Sequence, residues 1–289
     1  MLESVPWCSK GKASEIEDGM AMMIKLKFSL IGFWAITVFV FLFRIEAAAQ
    51  IRLNEIEVDT PSGISEPCEF IEVIGPPGSV VPPNTFFLSI DGETGNYGFI
   101  DYIANLGGLK FGSNGTITIV TASVPCRGRQ YPAETTMVKS TSFAMGFGAE
   151  TFLLVSTPHP KLLFEGQDLD ENDDGKLDAK YALTPIDGVA WVVDPAFEKV
   201  YGGAPIIFSG NKELPDAATR FPGDLTPFSP NSWYYGEVAP PDNSTKYAEP
   251  KSPNFPSDGA LTPGAPNLGA SPSPSQRSQI QRRGSRPGH

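Results

Sequence analysis

Histidine is nearly absent from this 289-residue chain: two copies, His159 and His289. His159 sits between prolines in TPHPK and reads as an exposed turn residue; His289 is the last residue. A histidine general base or histidine-bound zinc centre therefore has little to build on. Neither G-x-S-x-G nor a phosphate-binding glycine loop occurs, so two common marks of hydrolases and nucleotide binders are missing. Basic residues are outnumbered, 22 Lys and Arg against 33 Asp and Glu, for a formal charge of -11. Phosphate recognition needs a basic surface, so nucleic acid is not an expected partner. No amphipathic segment of three helical turns is found; DAKYAL and DPAFEKVYG could each form a single turn. No second apolar run appears near the C-terminus, so no tail anchor is visible.

Glycine and proline, by contrast, are plentiful at 29 and 28, without a fixed period, and 40% of residues are hydrophobic. That balance favours a loop-rich β protein with a packed core. Near the N-terminus, Lys25 and Lys27 precede an unbroken apolar run, SLIGFWAITVFVFLF, and then EAAAQ. This is the order of a secretory signal peptide over 23–49, with cleavage after Ala49 and a secreted or cell-envelope destination. The run is short for a membrane span, although an uncleaved anchor is the alternative. Residues 1–22 look unlike a signal, and a start at Met22 or Met23 is expected. Cys8 precedes the apolar run, which leaves Cys68 and Cys126 in the exported part. An oxidising compartment makes a disulfide between them the expected state, with two buried thiols as the alternative.

Short apolar segments then alternate with turn clusters at intervals of about 8 to 15 residues, as in β-sandwiches. IRLNEIEVD, CEFIEVIG, TFFLSIDGE, YGFIDYIANL, TITIVTA, TFLLVST, PKLLFEG and DGVAWVV are the candidate strands. Glu55 with Glu69 or Glu72 could be proposed as a catalytic pair, but alternating glutamates on a strand read as its solvent face. After residue 200 the chain turns rich in Pro, Asn, Asp and Ser, interrupted by Trp233, Tyr234 and Tyr235. The expectation is a sandwich over 50–200, an arm over 201–268 anchored on it by those aromatics, and a disordered basic tail over 269–289.

The acidic stretch DLDENDDGKLD, residues 168–178, lies between apolar runs. Asp170, Asn172, Asp174 and Gly175 fit D-x-N-x-D-G, the first half of a calcium loop. Its side-chain oxygens converge on one ion while Gly allows the sharp turn. Lys176 would offer its carbonyl and Asp178 the ninth position; Tyr181 stands where an EF-hand has glutamate, so Asp168 or Asp187 would complete the set. Hard oxygen donors favour Ca²⁺, bound weakly and neutralising carboxylates that otherwise repel. Two sequons, at Asn114 and Asn243, matter where exported chains are glycosylated.

LNEI (53–56), CEFIEV (68–73), GAETFLLV (148–155) and IDGVAW (186–191) follow in that order. Together with the ending PDAATRFPGD, NSWYYGE and LTPGAPN, this order resembles the lamin-tail domain in its exported bacterial-type form, over residues 51–268. The resemblance implies an immunoglobulin-like β-sandwich, here with long insertions at 124–143 and 158–185. It points to a non-catalytic structural or binding protein, serving adhesion, envelope scaffolding or recognition of an extracellular protein or glycan. A calcium-dependent hydrolase of phosphate or sugar esters, working through the acidic loop, is the alternative.

Overall fold

A computed structural model of the chain describes residues 51–58, 68–122, 126–142, 145–146, 148–207 and 214–269. The expected signal peptide, the extension before it and the basic tail beyond Gly269 lie outside these residues. The described chain is almost entirely β, in two sheets. Its strands are β1 (Arg52–Glu57), β2 (Phe70–Ile74), β3 (Thr85–Asp91), β4 (Ile100–Asn105), β5 (Thr116–Thr121), β6 (Thr136–Ser140), β7 (Glu150–Ser156), β8 (Thr184–Val192), β9 (Ala204–Ile207), β10 (Ala217–Arg220), β11 (Trp233–Val238) and β12 (Tyr247–Lys251).

Seven strands form one sheet in the order β12-β11-β10-β1-β2-β5-β6, and five form the other in the order β4-β3-β7-β8-β9. Pairing is antiparallel except at β5–β6 and β8–β9. The two sheets pack face to face as a β-sandwich. Leu53, Ile56, Ile71, Val73, Ile117, Ile119 and Trp233 come from the first sheet, and Phe87, Phe152, Leu154, Val189 and Trp191 from the second. Each such side chain contributes about 1.5–3 kcal/mol on leaving water. Phe152 meets Trp191 edge to face at 4.9 Å, an arrangement the ring quadrupoles favour.

Both outer faces are covered as well. On the five-stranded sheet, Leu88, Ile90, Leu153 and Val155 pack under Leu163, Leu169 and Tyr181 of the long connection between β7 and β8. On the seven-stranded sheet, Phe70, Val120, Phe221, Tyr234 and Tyr247 pack under Leu261 and Phe255. The disulfide Cys68–Cys126 closes a 58-residue separation with its Cα atoms 4.5 Å apart. Beside it, Arg129 forms a buried ion pair with Glu57 and donates to the carbonyls of Cys68 at 2.6 Å and Ser244 at 2.9 Å. Among the described residues no helix is long and apolar enough to cross a membrane.

Three local expectations change. PKLLFEG is not a strand; Pro160–Leu162 form one 3-10 turn, because the proline at its start lacks a ladder N–H. Trp233-Tyr-Tyr does not anchor an arm from outside. It begins β11, and residues 201–251 supply four strands of the two sheets. The true arm runs from Ser252 to Gly269. Glu55, Glu69 and Glu72, expected on a solvent face, are buried. Glu55 and Glu72 do share one face, and that face lies beneath the arm.

Candidate functional site

Three groups of acidic side chains compete for attention, and each is built differently. The first is the acidic loop, residues 168–178. At its centre Asp170 is fully buried. One carboxylate oxygen accepts the Asp174 N–H at 3.0 Å; the other accepts the Gly175 N–H at 2.8 Å and the Tyr201 hydroxyl at 3.0 Å. The chain curls this tightly because Gly175 has φ 80°, a region glycine enters without strain. Asp168 Oδ1 accepts the Asp170 N–H at 2.8 Å. Asn172 is exposed, and Asp174 and Lys176 pair at the surface at 3.3 Å. Asp178 lies 3.7 Å from the Lys180 ammonium, which also pairs with Glu171.

The loop therefore brings Asp168, Asp170, Asn172, Asp174, Lys176 and Asp178 into one turn. Backbone N–H groups and neighbouring lysines meet much of its negative charge. Among the described residues no group of three or more His, Cys, Asp or Glu side chains is gathered as metal ligands are. Asp187 is engaged elsewhere. It forms a buried ion pair with Arg220 at 2.5 Å and accepts the N–H groups of Leu53 and Gly188 at 3.0 Å each. Burial pushes its carboxyl above the ordinary range despite the pull of Arg220. Arg220 in turn donates to the Leu53 carbonyl at 2.6 Å and lies 4.5 Å from the Trp233 ring centre. Since Asp187 is on β8 and Leu53 and Arg220 are on β1 and β10, this pair bolts one sheet to the other.

The second group is Glu55 and Glu72, directly opposite each other across β1 and β2. Both have 0% exposure. Glu55 accepts the Thr262 N–H at 2.9 Å and hydroxyls of Thr219 at 3.0 Å and Thr262 at 3.1 Å. Glu72 accepts Asn54 Nδ2 at 2.6 Å, the Gly264 N–H at 2.5 Å and the Thr118 hydroxyl at 3.1 Å. Asn54 and Asn267 complete the contact through reciprocal amide bonds of 2.7 and 3.0 Å. Burial, then the charge of Glu72, holds the Glu55 carboxyl well above its usual range; burial pushes Glu72 up to about 7. The T-P-G-A-P-N segment, residues 262–267, is thus the clasp of the fold. The sequence signal was present in LNEI and CEFIEV, but only the arm overhead makes these carboxylates buried.

A third group, missed in the sequence, joins Asp91, Glu93, Asp101 and Glu150 at one end of the five-stranded sheet, where β3 ends and β4 and β7 begin. Glu150 accepts the Ser89 hydroxyl at 2.5 Å. Burial and the charge of Asp101 hold its carboxyl well above the usual range. Burial, Asp91 and Glu93 push Asp101 up to about 6. A Cβ added at Gly146 would lie 2.5 Å from an Asp101 oxygen and 2.6 Å from a Glu150 oxygen, so glycine leaves room for both carboxyls. A half-buried carboxyl that keeps its proton near neutrality can act as a general acid. Scattered over β3, the turn after it, β4 and β7, these residues carry no spacing signal.

The sequons are structurally occupied. Asn114 Nδ2 donates to the Gly264 carbonyl at 2.7 Å and Asn243 Nδ2 to the Arg127 carbonyl at 2.9 Å. Compared with family models, with curated proteins and with solved structures, the chain matches nothing.

Proposed function

We propose that this is an exported, non-catalytic structural or binding protein, built on a lamin-tail-like, immunoglobulin-type β-sandwich. It serves adhesion, envelope scaffolding or recognition of an extracellular protein or glycan. One observation carries the reading: Glu55, Glu72, Asp170 and Asp187, all buried, are bonded to the chain's own N–H and hydroxyl groups and hold loops in place. Carboxylates so engaged do structural work. The Cys68–Cys126 disulfide agrees with an oxidising destination.

Weak calcium binding at the acidic loop belongs to the same reading. Its support is the D-x-N-x-D-G turn wound around Asp170 with Gly175 at positive φ. Against it stand the three hydrogen bonds already made by Asp170 and the absence, among the described residues, of a gathered ligand set. A hydrolase is the second reading, and the Asp101–Glu150 pair, more than the acidic loop, favours it. Turnover of phosphoesters and glycans by the purified protein, with calcium and with chelator, separates the readings. Turnover lost in Asp101→Asn, with folding intact, would overthrow the non-catalytic reading. Saturable binding to a glycan or protein array without turnover supports it.

A further inference from the structure

We propose that the segment 262–267 is a pH-sensitive strap. It is docked on Glu55 and Glu72 while that pair holds a proton, and it loosens as the proton is lost. This inference concerns regulation and is independent of what the protein binds.

The geometry comes first. Residues directly opposite on antiparallel strands hold their Cβ atoms about 4.5–5.5 Å apart. Glu55 and Glu72 occupy such a position without exposure to water. Two carboxylates this close in a dry site resist double ionisation, so one proton is retained into the neutral range. A protonated Glu55 can donate to the Thr219 or Thr262 hydroxyl, while Glu72 receives the donors Asn54, Thr118 and Gly264.

Among the described residues the surroundings supply no compensating cation. Arg129, from the loop after the disulfide, is committed to Glu57. Arg220 meets the strap through its carbonyl, which accepts Asn267 Nδ2 at 2.7 Å. Tyr247 of β12 and Tyr234 of β11 face the pair as neutral phenols, each held above its usual range by burial and then by Glu55. Asp258, on the arm, adds a further negative charge near Tyr234.

Apart from the two carboxylates, the strap is held by neutral amide bonds, Asn114 Nδ2 to the Gly264 carbonyl and Asn267 to Asn54 and the Arg220 carbonyl, none of which changes with pH. Thr262 and Gly264 present their N–H groups to the two carboxylates. Gly264 has φ 80°, and a Cβ there would lie 2.9 Å from Thr135 Cγ2 and 3.1 Å from Pro132 Cδ. Lifting the strap hydrates the pair and returns both groups to ordinary acidity. Docking is therefore linked to proton uptake. It also covers an aromatic face, since Leu261 precedes the strap directly and packs with Phe70, Phe221, Tyr234 and Tyr247. The strap thus gates an apolar surface.

Hydrogen–deuterium exchange of the wild-type protein at pH 5 and pH 8, corrected for intrinsic rates, tests this. Peptides over 259–269 are compared with reference peptides over β3 and β7. Docking that takes up one proton weakens about tenfold per pH unit within the titration window. Strap protection should therefore fall at least tenfold more than reference protection, with a parallel rise in binding of an apolar dye. Glu55→Gln should flatten that response while the reference peptides stay protected. Equal loss in strap and reference peptides would overturn the proposal, as would an unchanged pH response in the Glu55→Gln protein. If that variant does not fold, the wild-type comparison still decides.

Discussion

Replacing Arg220 by methionine should destabilise the protein by about 3–5 kcal/mol. The side chain of Arg220 is fully buried. Methionine keeps most of the apolar stem against Trp233 but removes the guanidinium and the hydrogen bonds to Asp187, Leu53 and Thr226. Asp187 then retains three backbone donors, from Leu53, Gly188 and Phe228, and the charge of Arg52 without an ion pair to it. An unpaired buried charge accounts for most of the loss. Removing both partners is a different perturbation, because desolvation already penalises the pair. Burial lowers the acidity of Asp187, and burial likewise lowers the Arg220 pKa. The double variant Asp187→Asn, Arg220→Met should therefore lose at least about 2 kcal/mol less than the two single losses combined. Urea unfolding followed by the fluorescence of buried Trp191 and Trp233 measures all four proteins. The Arg220→Met loss should also be smaller at pH 5 than at pH 8, since Asp187 can take up a proton. A single-variant loss under about 1 kcal/mol, or a strictly additive cycle, would refute the bolt between sheets.

Reducing Cys68–Cys126 should cost up to about 4 kcal/mol on chain-entropy grounds, read as a fall in melting temperature with reductant. The contribution of Glu72 to stability should be full below pH 4.5 and should be lost as the pH rises from there through 7. The folded state binds more protons than the unfolded one between the ordinary value of 4.5 and the raised value of about 7, a difference on the order of 3 kcal/mol. Thermal melts across this range check the sign; rising stability toward pH 8 would contradict it. Gly264→Ala should destabilise by about 1–2 kcal/mol through positive φ and crowding against Thr135, as chemical denaturation will show. If the acidic loop takes calcium, millimolar Ca²⁺ raises the melting temperature over chelator and Asp170→Asn abolishes the rise; identical melts remove calcium from the reading.

Much of the sandwich was legible from short-range pattern. Period-two alternation marks β1, β2 and β5, short apolar runs between turn residues mark β3, β7 and β8, and Cys68 and Cys126 do pair. What escaped was long-range. Nothing local in WYY distinguishes an anchor from a strand until β10 and β12 flank it. Likewise Glu55 alternates as a surface residue would, and its partner Thr262 is 207 positions away. Of the acidic loop, the turn geometry around Asp170 was visible because it needs only consecutive residues. The reassignment of Asp187 was not, because Arg220 reaches it from the opposite sheet.

The clasp between Asn54 and Asn267 joins near-opposite ends of the described chain, 213 positions apart. During synthesis β1 appears early, yet its neighbour β10 and the residues that seal its outer face are made last. The first strand must therefore wait, half-paired and with wet carboxylates, until almost the whole body exists. Such remote closure slows folding and leaves a sticky edge exposed meanwhile. A chain shortened before residue 262 would inherit that waiting state as its permanent condition.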